Sequence, residues 1–326
     1  MRIFDAHEGD FLTKALETFR FQYRENPVYH GYVDALGLLP GEVEKLEQIP
    51  FLPVSLFKSH EVRTGDFVPG AIFESSGTTG MAPSRHFVKD TELYRESFTR
   101  GFRLFYGEPS AWCIIGLLPS YLERSHSSLV VMVDELIRLS GHPDSGSYLY
   151  QYEALSRLLS TLEKAGQPTL LIGVSFALLD LAESHPMKLR HTVVMETGGM
   201  KGRKKELTRE ELHDRLCRGL GVDRIHSEYG MTELLSQAYS EGQGLFRCPP
   251  WMRVVLRAED DPFCFTDADG DPLRQGLINI IDLANRYSCS FIATDDLGRL
   301  HGDGRFEVLG RADNSDIRGC SLLVAG

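Results

Sequence analysis

Apolar positions along the chain change their spacing in a way that predicts a sequence of elements. Leu12, Ala15, Leu16, Phe19 and Tyr23 recur at helical spacing, and Pro27 follows the end of that helix. Ile49-Pro50-Phe51-Leu52-Pro53 carries too much proline for a helix interior and predicts an extended connector. From residue 72, strand-like runs alternate with amphipathic stretches. Tyr94, Phe98, Phe102 and Phe105 form a helical stripe, and Trp112 to Leu118 make an apolar run. Helical patterns follow at 128–139 and 151–165. Thr169 to Gly173 reads as a buried strand, 190–196 as another, and 207–219 as a further helix. This alternation predicts an α/β fold, layered over a mostly parallel sheet. From about residue 250 the runs shorten and turns multiply, which predicts a smaller antiparallel or barrel-like β portion. No Gly/Ser- or Pro-rich linker divides the chain, so a single domain over 1–326 is expected, opening with a helical segment over 1–60.

Charge narrows the partners. The chain has 35 Lys and Arg against 46 Asp and Glu, a net charge of -11, and such a surface repels a phosphate backbone. No nucleic-acid partner is expected. A membrane span is not expected either: the greasiest stretch, Leu170 to Ala182, is short and is interrupted by Ser175 and Asp180. Cys113, Cys217, Cys248, Cys264, Cys289 and Cys320 are widely spaced, with no C-x-x-C pair to suggest zinc. A reducing cytoplasm is the expected location.

Chemistry concentrates in two segments. After the apolar Ala71-Ile72-Phe73 comes Glu74-Ser75-Ser76-Gly77-Thr78-Thr79-Gly80, where two glycines frame hydroxyl residues. Such a loop turns backbone N–H groups inward and makes an anion cradle, although the same residues are common in plain turns. It is not a Walker A loop, because no Gly-Lys-Ser/Thr follows. The second segment is His226-Ser227-Glu228-Tyr229-Gly230-Met231-Thr232-Glu233. Here Tyr229 can stack on a purine, Thr232 can donate to a phosphate, and Glu233 can hold Mg²⁺. On structural grounds alone it is a turn into a helix over Glu233–Tyr239, capped by Thr232.

In this order the two segments resemble the phosphate loop and the adenine/Mg²⁺ motif of the acyl-adenylate-forming superfamily. Thr197-Gly198-Gly199-Met200 is similar to that superfamily's adenine-contacting turn. Ala293-Thr294-Asp295-Asp296-Leu297-Gly298 resembles its Thr-Gly-Asp ribose motif, with Asp295 in place of the glycine. Gly310-Arg311-Ala312-Asp313 resembles its hinge, whose arginine reaches the nucleotide. The resemblance implies ATP and Mg²⁺ as cofactors. It assigns ATP or AMP to Ser76, Gly77, Thr78, Thr79, Gly80, Gly198, Gly199, Tyr229, Asp296 and Arg311, the metal to Glu233, and a catalytic role to Thr232. Asp295 competes with Asp296 for the ribose. Arg85, in Met81-Ala82-Pro83-Ser84-Arg85-His86, stands near the place of the usual loop lysine.

The fold this implies is the superfamily's large N-terminal domain, with a truncated hinge and cysteine-bearing tail over 310–326 and without the mobile C-terminal domain. Ile49 to Lys58 and Asp316-Ile317-Arg318-Gly319-Cys320-Ser321 narrow the resemblance to the acyl-protein synthetases of the bacterial fatty-acid reductase system. That branch activates a fatty acid as acyl-AMP and moves the acyl group to a cysteine near its C-terminus, here Cys320. A reductase is then the implied partner. An acid–CoA ligase and a degenerate nucleotide-binding subunit are the alternatives. So is a hydrolase, since Gly173-Val174-Ser175-Phe176-Ala177 nearly matches a nucleophile elbow, with His226 or His301 as base.

Overall fold

A computed structural model describes residues 3–4, 8–75, 82–119, 126–198, 207–267 and 269–312. The chain begins with helices α1 (Phe11–Glu25) and α2 (Pro27–Ala35), strand β1 (Leu52–Pro53) and the single turn α3 (Leu56–Ser59). Strands β2 (Ala71–Glu74) and β3 (Arg85–Val88) pair as an antiparallel hairpin. The alternating part runs α4 (Thr91–Tyr106), β4 (Cys113–Leu117), α5 (Ser128–Ser140), β5 (Gly146–Tyr148) and α6 (Tyr152–Ala165). It continues with β6 (Thr169–Val174), α7 (Ser175–Ser184), β7 (Thr192–Thr197), α8 (Arg209–Leu220) and β8 (His226–Tyr229). Strands β9 (Ala238–Ser240), β10 (Phe246–Arg247), β11 (Met252–Arg257), β12 (Gln275–Asp282), β13 (Phe291–Leu300) and β14 (Phe306–Arg311) complete it.

The chain divides into two compact units, each drawn from separate stretches. Unit 1 takes 1–91, 233–236 and 247–326, and unit 2 takes 92–232 and 237–246. In unit 2 the strand order is β5-β4-β6-β7-β8-β9, parallel as far as β8, with β9 antiparallel to it. Strands β4 and β6 are buried at every residue, which suits a parallel sheet covered on both faces. Their runs are accordingly apolar without alternation. Helix α8 begins with a reciprocal cap: the Thr208 hydroxyl accepts from the Glu211 N–H at 3.2 Å, and the Glu211 carboxylate accepts from the Thr208 N–H at 3.0 Å.

Unit 1 holds the expected antiparallel portion. Strands β11, β12, β13 and β14 pair in sequence order, and β1 runs parallel beside β13. Helix α2 starts on Asn26, whose side-chain oxygen accepts from the N–H groups of Val28 and Tyr29, with Pro27 at its first position. Helix α1 forms where expected and buries Ala15 and Phe19 of the expected stripe, but its buried face is rotated away from Leu12. Phe11, Ala15, Thr18, Phe19 and Gln22 are buried, while Leu12 is 41% exposed. The polar Gln22 decides this rotation. Its amide donates to the carbonyls of Asn285 and Arg286 and to the Ser290 hydroxyl, and its oxygen accepts from the Ser290 N–H. A second difference concerns residues 233–239, which form turns leading to β9 and no helix. The N–H groups of Leu235 and Ser236 donate to the buried carboxylate of Asp282, not to helical carbonyls.

Candidate active site

In an open parallel sheet, ligands bind beyond the carboxyl ends of the strands. In unit 2 those ends are Leu117, Tyr148, Val174, Thr197 and Tyr229. Thr197 and Glu228 are register partners on β7 and β8, so Gly198 and Tyr229 follow them at adjacent strand ends. Two residues read separately in the sequence are thereby brought together. Gly198 has φ +67°, a left-handed conformation that favours glycine. Tyr229 meets Phe246 edge to face at 5.9 Å, and the Arg209 guanidinium lies over the Phe246 ring at 5.1 Å. A side chain at position 230 would run into the Glu228 carboxylate, which explains the glycine after Tyr229.

Two buried carboxylates sit behind this edge, and their surroundings push their ionisation in opposite directions. Burial works against charge on Glu196, but His213, Arg209 and the Ser227 hydroxyl outweigh it and hold the carboxyl below its ordinary range. Its Oε1 lies 3.6 Å from His213 Nε2 and 3.8 Å from Arg209 Nε. Among the described residues no cation pairs with Glu228 in that way. Burial pushes it up to about 7, against the hydrogen bond from the Thr197 hydroxyl and with added repulsion from Glu196. His226 is depressed to about 4 by burial and by Arg224, and its Nδ1 is 3.1 Å from the Tyr106 hydroxyl.

Unit 1 carries a second set. Glu233 is 5% exposed, and burial raises its carboxyl despite the Ser84 hydroxyl, its own backbone N–H, and the charges of Arg311 and Lys58. Its backbone is held in place: Asn285 Nδ2 donates to the Glu233 carbonyl at 2.7 Å. Asp282 gathers the following residues, accepting from Leu235 N at 2.9 Å, Ser236 N at 3.0 Å, Ser236 Oγ at 2.6 Å and Ala284 N at 3.1 Å. Asp296 pairs with Arg311 across β13 and β14, Oδ1 to Nε 3.5 Å. Strand alternation puts Asp295 on the other face. There Ala293 and Asp295 line a cavity of about 110 Å³ with Phe51, Phe265, Asn279 and Arg257. The two competing aspartates therefore face different surroundings. Arg85 lies over the Phe87 ring at 5.4 Å.

Ser175 does not have the surroundings of a hydrolytic nucleophile. It is 2% exposed and donates to the Gly198 carbonyl at 2.6 Å and to Glu196 Oε2 at 3.1 Å. His226 is engaged with Tyr106, and His301 with Glu307 at 2.8 Å. Thr232 is the last residue of the long stretch of unit 2 and is half-buried. Ser76, Gly77, Thr78, Thr79, Gly80, Gly199 and Cys320 lie outside the described residues. Among the described residues no group of three His, Cys, Asp or Glu side chains could cage a metal. A lone buried carboxylate such as Glu233 still suits Mg²⁺, which takes most of its ligands from phosphate and water. Sequence reasoning does not single out Glu196 or Asp282, although each is an acid closing an apolar run, Val193-Val194-Met195-Glu196 and Ile280-Ile281-Asp282.

No protein-family profile and no curated protein matches this sequence. Solved structures do. A 2-hydroxyisobutyryl-CoA ligase in its postadenylation state with R3-HIB-AMP superposes with a TM-score of 0.65 at 13% identity, over 94% of this chain and 68% of that one. The fold is that of the N-terminal domain of adenylate-forming enzymes. ATP-bound MatB from Rhodopseudomonas palustris shares this adenylate-forming fold with a TM-score of 0.52 at 18% identity, over 74% of this chain and 48% of that one. The luciferase-like enzyme of the nonluminescent Zophobas morio mealworm gives 0.50 at 13% identity, over 77% and 60%. Among the described residues, no helix of this adenylate-forming fold is long and apolar enough to cross a membrane.

Proposed function

We propose that the protein converts a carboxylic acid and ATP into an acyl-adenylate and pyrophosphate. The observation that carries this reading is the placement of Gly198 and Tyr229 at adjacent carboxyl ends of a parallel sheet, in a fold shared with adenylate-forming ligases. In this reading residues 1–326 act as one catalytic domain. Gly198, Gly199 and Tyr229 take adenine, Asp296 accepts from the ribose hydroxyls, and Arg311 accompanies it. Ser76, Gly77, Thr78, Thr79, Gly80 and Thr232 donate to the phosphates, and Glu233 holds Mg²⁺. The ion supplies neutralisation of polyphosphate charge.

A carboxylate is a poor acyl donor because its oxygen is a poor leaving group. Attack of that oxygen on the α-phosphorus forms a P–O bond, breaks the bond to the β-phosphate and releases pyrophosphate. The mixed anhydride is then open to a nucleophile. In the finer reading the Cys320 thiolate attacks the acyl carbonyl, a C–S bond forms, the C–O bond to AMP breaks, and AMP leaves. The acid would be a fatty acid and the acyl group would pass to a partner reductase. A second reading, acid–CoA ligase, draws support from a fold neighbour solved with 2-HIB-AMP and CoA.

ATP–pyrophosphate exchange with a panel of acids, followed by mass spectrometry of the protein, tests both stages. Exchange that depends on acid and Mg²⁺ is expected. Cys320→Ser should keep exchange while losing a hydroxylamine-labile acyl adduct, because a hydroxyl is deprotonated far less readily than a thiol. CoA consumption without any adduct would select the ligase. Absence of exchange with every acid would leave only a nucleotide-binding subunit.

A further inference from the structure

Ser175 opens α7 directly after β6, and its hydroxyl is buried against the turn that follows β7. The hydroxyl has one proton and faces two acceptors, the Gly198 carbonyl at 2.6 Å and Glu196 Oε2 at 3.1 Å. The shorter distance gives Gly198 the stronger bond. Glu196 is itself fixed from the other side. Arg209 and His213, one helical turn apart on α8, both approach its Oε1, and the Ser227 hydroxyl lies 3.4 Å from His213 Nε2. The Ser175 hydroxyl is thus held between the Gly198 carbonyl and a carboxylate that is itself fixed by the Arg209 guanidinium and the His213 ring. The nucleotide chemistry proposed above uses none of these five side chains.

We infer that Ser175 is a positioning residue for base selection: it fixes the Gly198 carbonyl so that this oxygen accepts from the 6-amino group of a purine. The inference rests on the reading of the 197–200 turn as the adenine contact. A carbonyl oxygen has two lone pairs, and Ser175 occupies one of them. The left-handed φ of Gly198 sets the direction of the peptide, and the hydroxyl prevents it from rocking. A 6-oxo purine presents a carbonyl to this oxygen in place of an amino group, so two acceptors would face each other. Such a site rejects the wrong partner by leaving polar groups unpaired.

The test compares ATP with ITP, whose base carries oxygen at position 6, in acid-dependent exchange by wild type, Ser175→Ala and Ser175→Cys. Wild type is expected to prefer ATP. Ser175→Ala should raise KM for ATP about three- to tenfold, as loss of one hydrogen bond does, with kcat within about twofold. KM for ITP should stay put, so the ATP/ITP ratio of kcat/KM narrows by the same factor. Ser175→Cys, close in size with a weaker donor, should fall between and serves if the alanine variant does not fold. KM values for ATP and ITP that rise together would mark a general structural loss and overturn the inference. An unchanged ATP KM in both folded variants would overturn it as well. Wild type lacking exchange with ATP and every acid would instead bring down the proposed function, and this inference with it.

Discussion

The Glu196 network in unit 2 and the Asp282 knot in unit 1 handle the same problem, a carboxylate taken out of water, with different results. Asp282 accepts four hydrogen bonds from neutral donors, yet burial still raises its carboxyl. Glu196 has fewer close donors, and its carboxyl falls below the ordinary range. The difference is the charge of the neighbours. The Arg209 guanidinium and the His213 ring lie beside Glu196, whereas Asp282 has backbone N–H groups and one hydroxyl. Glu228, beside Glu196 and bonded to the Thr197 hydroxyl, follows the same ordering, with burial pushing it up to about 7. Neutral donors organise a chain segment around a buried acid, while cations keep that acid ionised.

The largest expected effect comes from emptying the knot. Asp282→Ala leaves four buried donors without their acceptor, and each orphaned group costs about 1–3 kcal/mol. Allowing for relaxation, a loss of about 3–5 kcal/mol is expected in urea unfolding. A loss under about 1 kcal/mol would show that the segment 233–236 finds other partners, and the contrast with Glu196 would collapse.

Next comes the pH dependence of Glu228. Its ordinary carboxyl value is 4.5 and its value in the fold is about 7, so between those limits the unfolded chain releases the proton first. Stability from this group is full below about 4.5, falls as pH rises, and is lost above about 7. Glu228→Gln removes the term. Its advantage over wild type in unfolding free energy should therefore be absent near pH 4.5, widen towards pH 7 and then level, reaching about 3 kcal/mol in urea unfolding. An advantage that does not vary with pH would remove the distinction drawn between Glu196 and Glu228.

These carboxylates were not legible in the sequence, and the reason is instructive. Period and run length recover an element because every residue of a helix or buried strand contributes to the pattern. The stretches 151–165 and 169–173 became α6 and β6 for that reason. The ionisation of Glu196 depends instead on Arg209 and His213, which approach it only once α8 packs on the sheet. Likewise the buried face of α1 turned on Gln22 reaching a segment more than 260 residues away. The strand-end positions of Gly198 and Tyr229 were readable, because a glycine turn and an aromatic each sit at the end of a short local run. The ambiguity between Asp295 and Asp296 needed the strand's two faces to be seen.

The smallest expected effect is a surface control for the same comparison. Arg218 pairs with Asp214 one turn away on α8, with side chains 71% and 58% exposed. Water screens such a pair, so Arg218→Ala should cost under about 0.5 kcal/mol. A cost of several kcal/mol would mean that α8 is held by more than its buried face and its contacts to Glu196.

The hydrogen bonds from Gln22 and Asn26 to residues 285–290 also set an order of events during synthesis. Thr64 joins them by donating to the Ser288 carbonyl. A ribosome adding about 5–20 residues per second needs about 13–55 s to go from residue 22 to residue 290. Throughout that interval Gln22 and Asn26 lack their final acceptors, and Phe19 and Tyr29 lack the Phe291 ring they pack against. Helices α1 and α2 thus leave the exit tunnel long before they are locked, and the nascent chain carries their apolar faces until residues 285–291 have emerged.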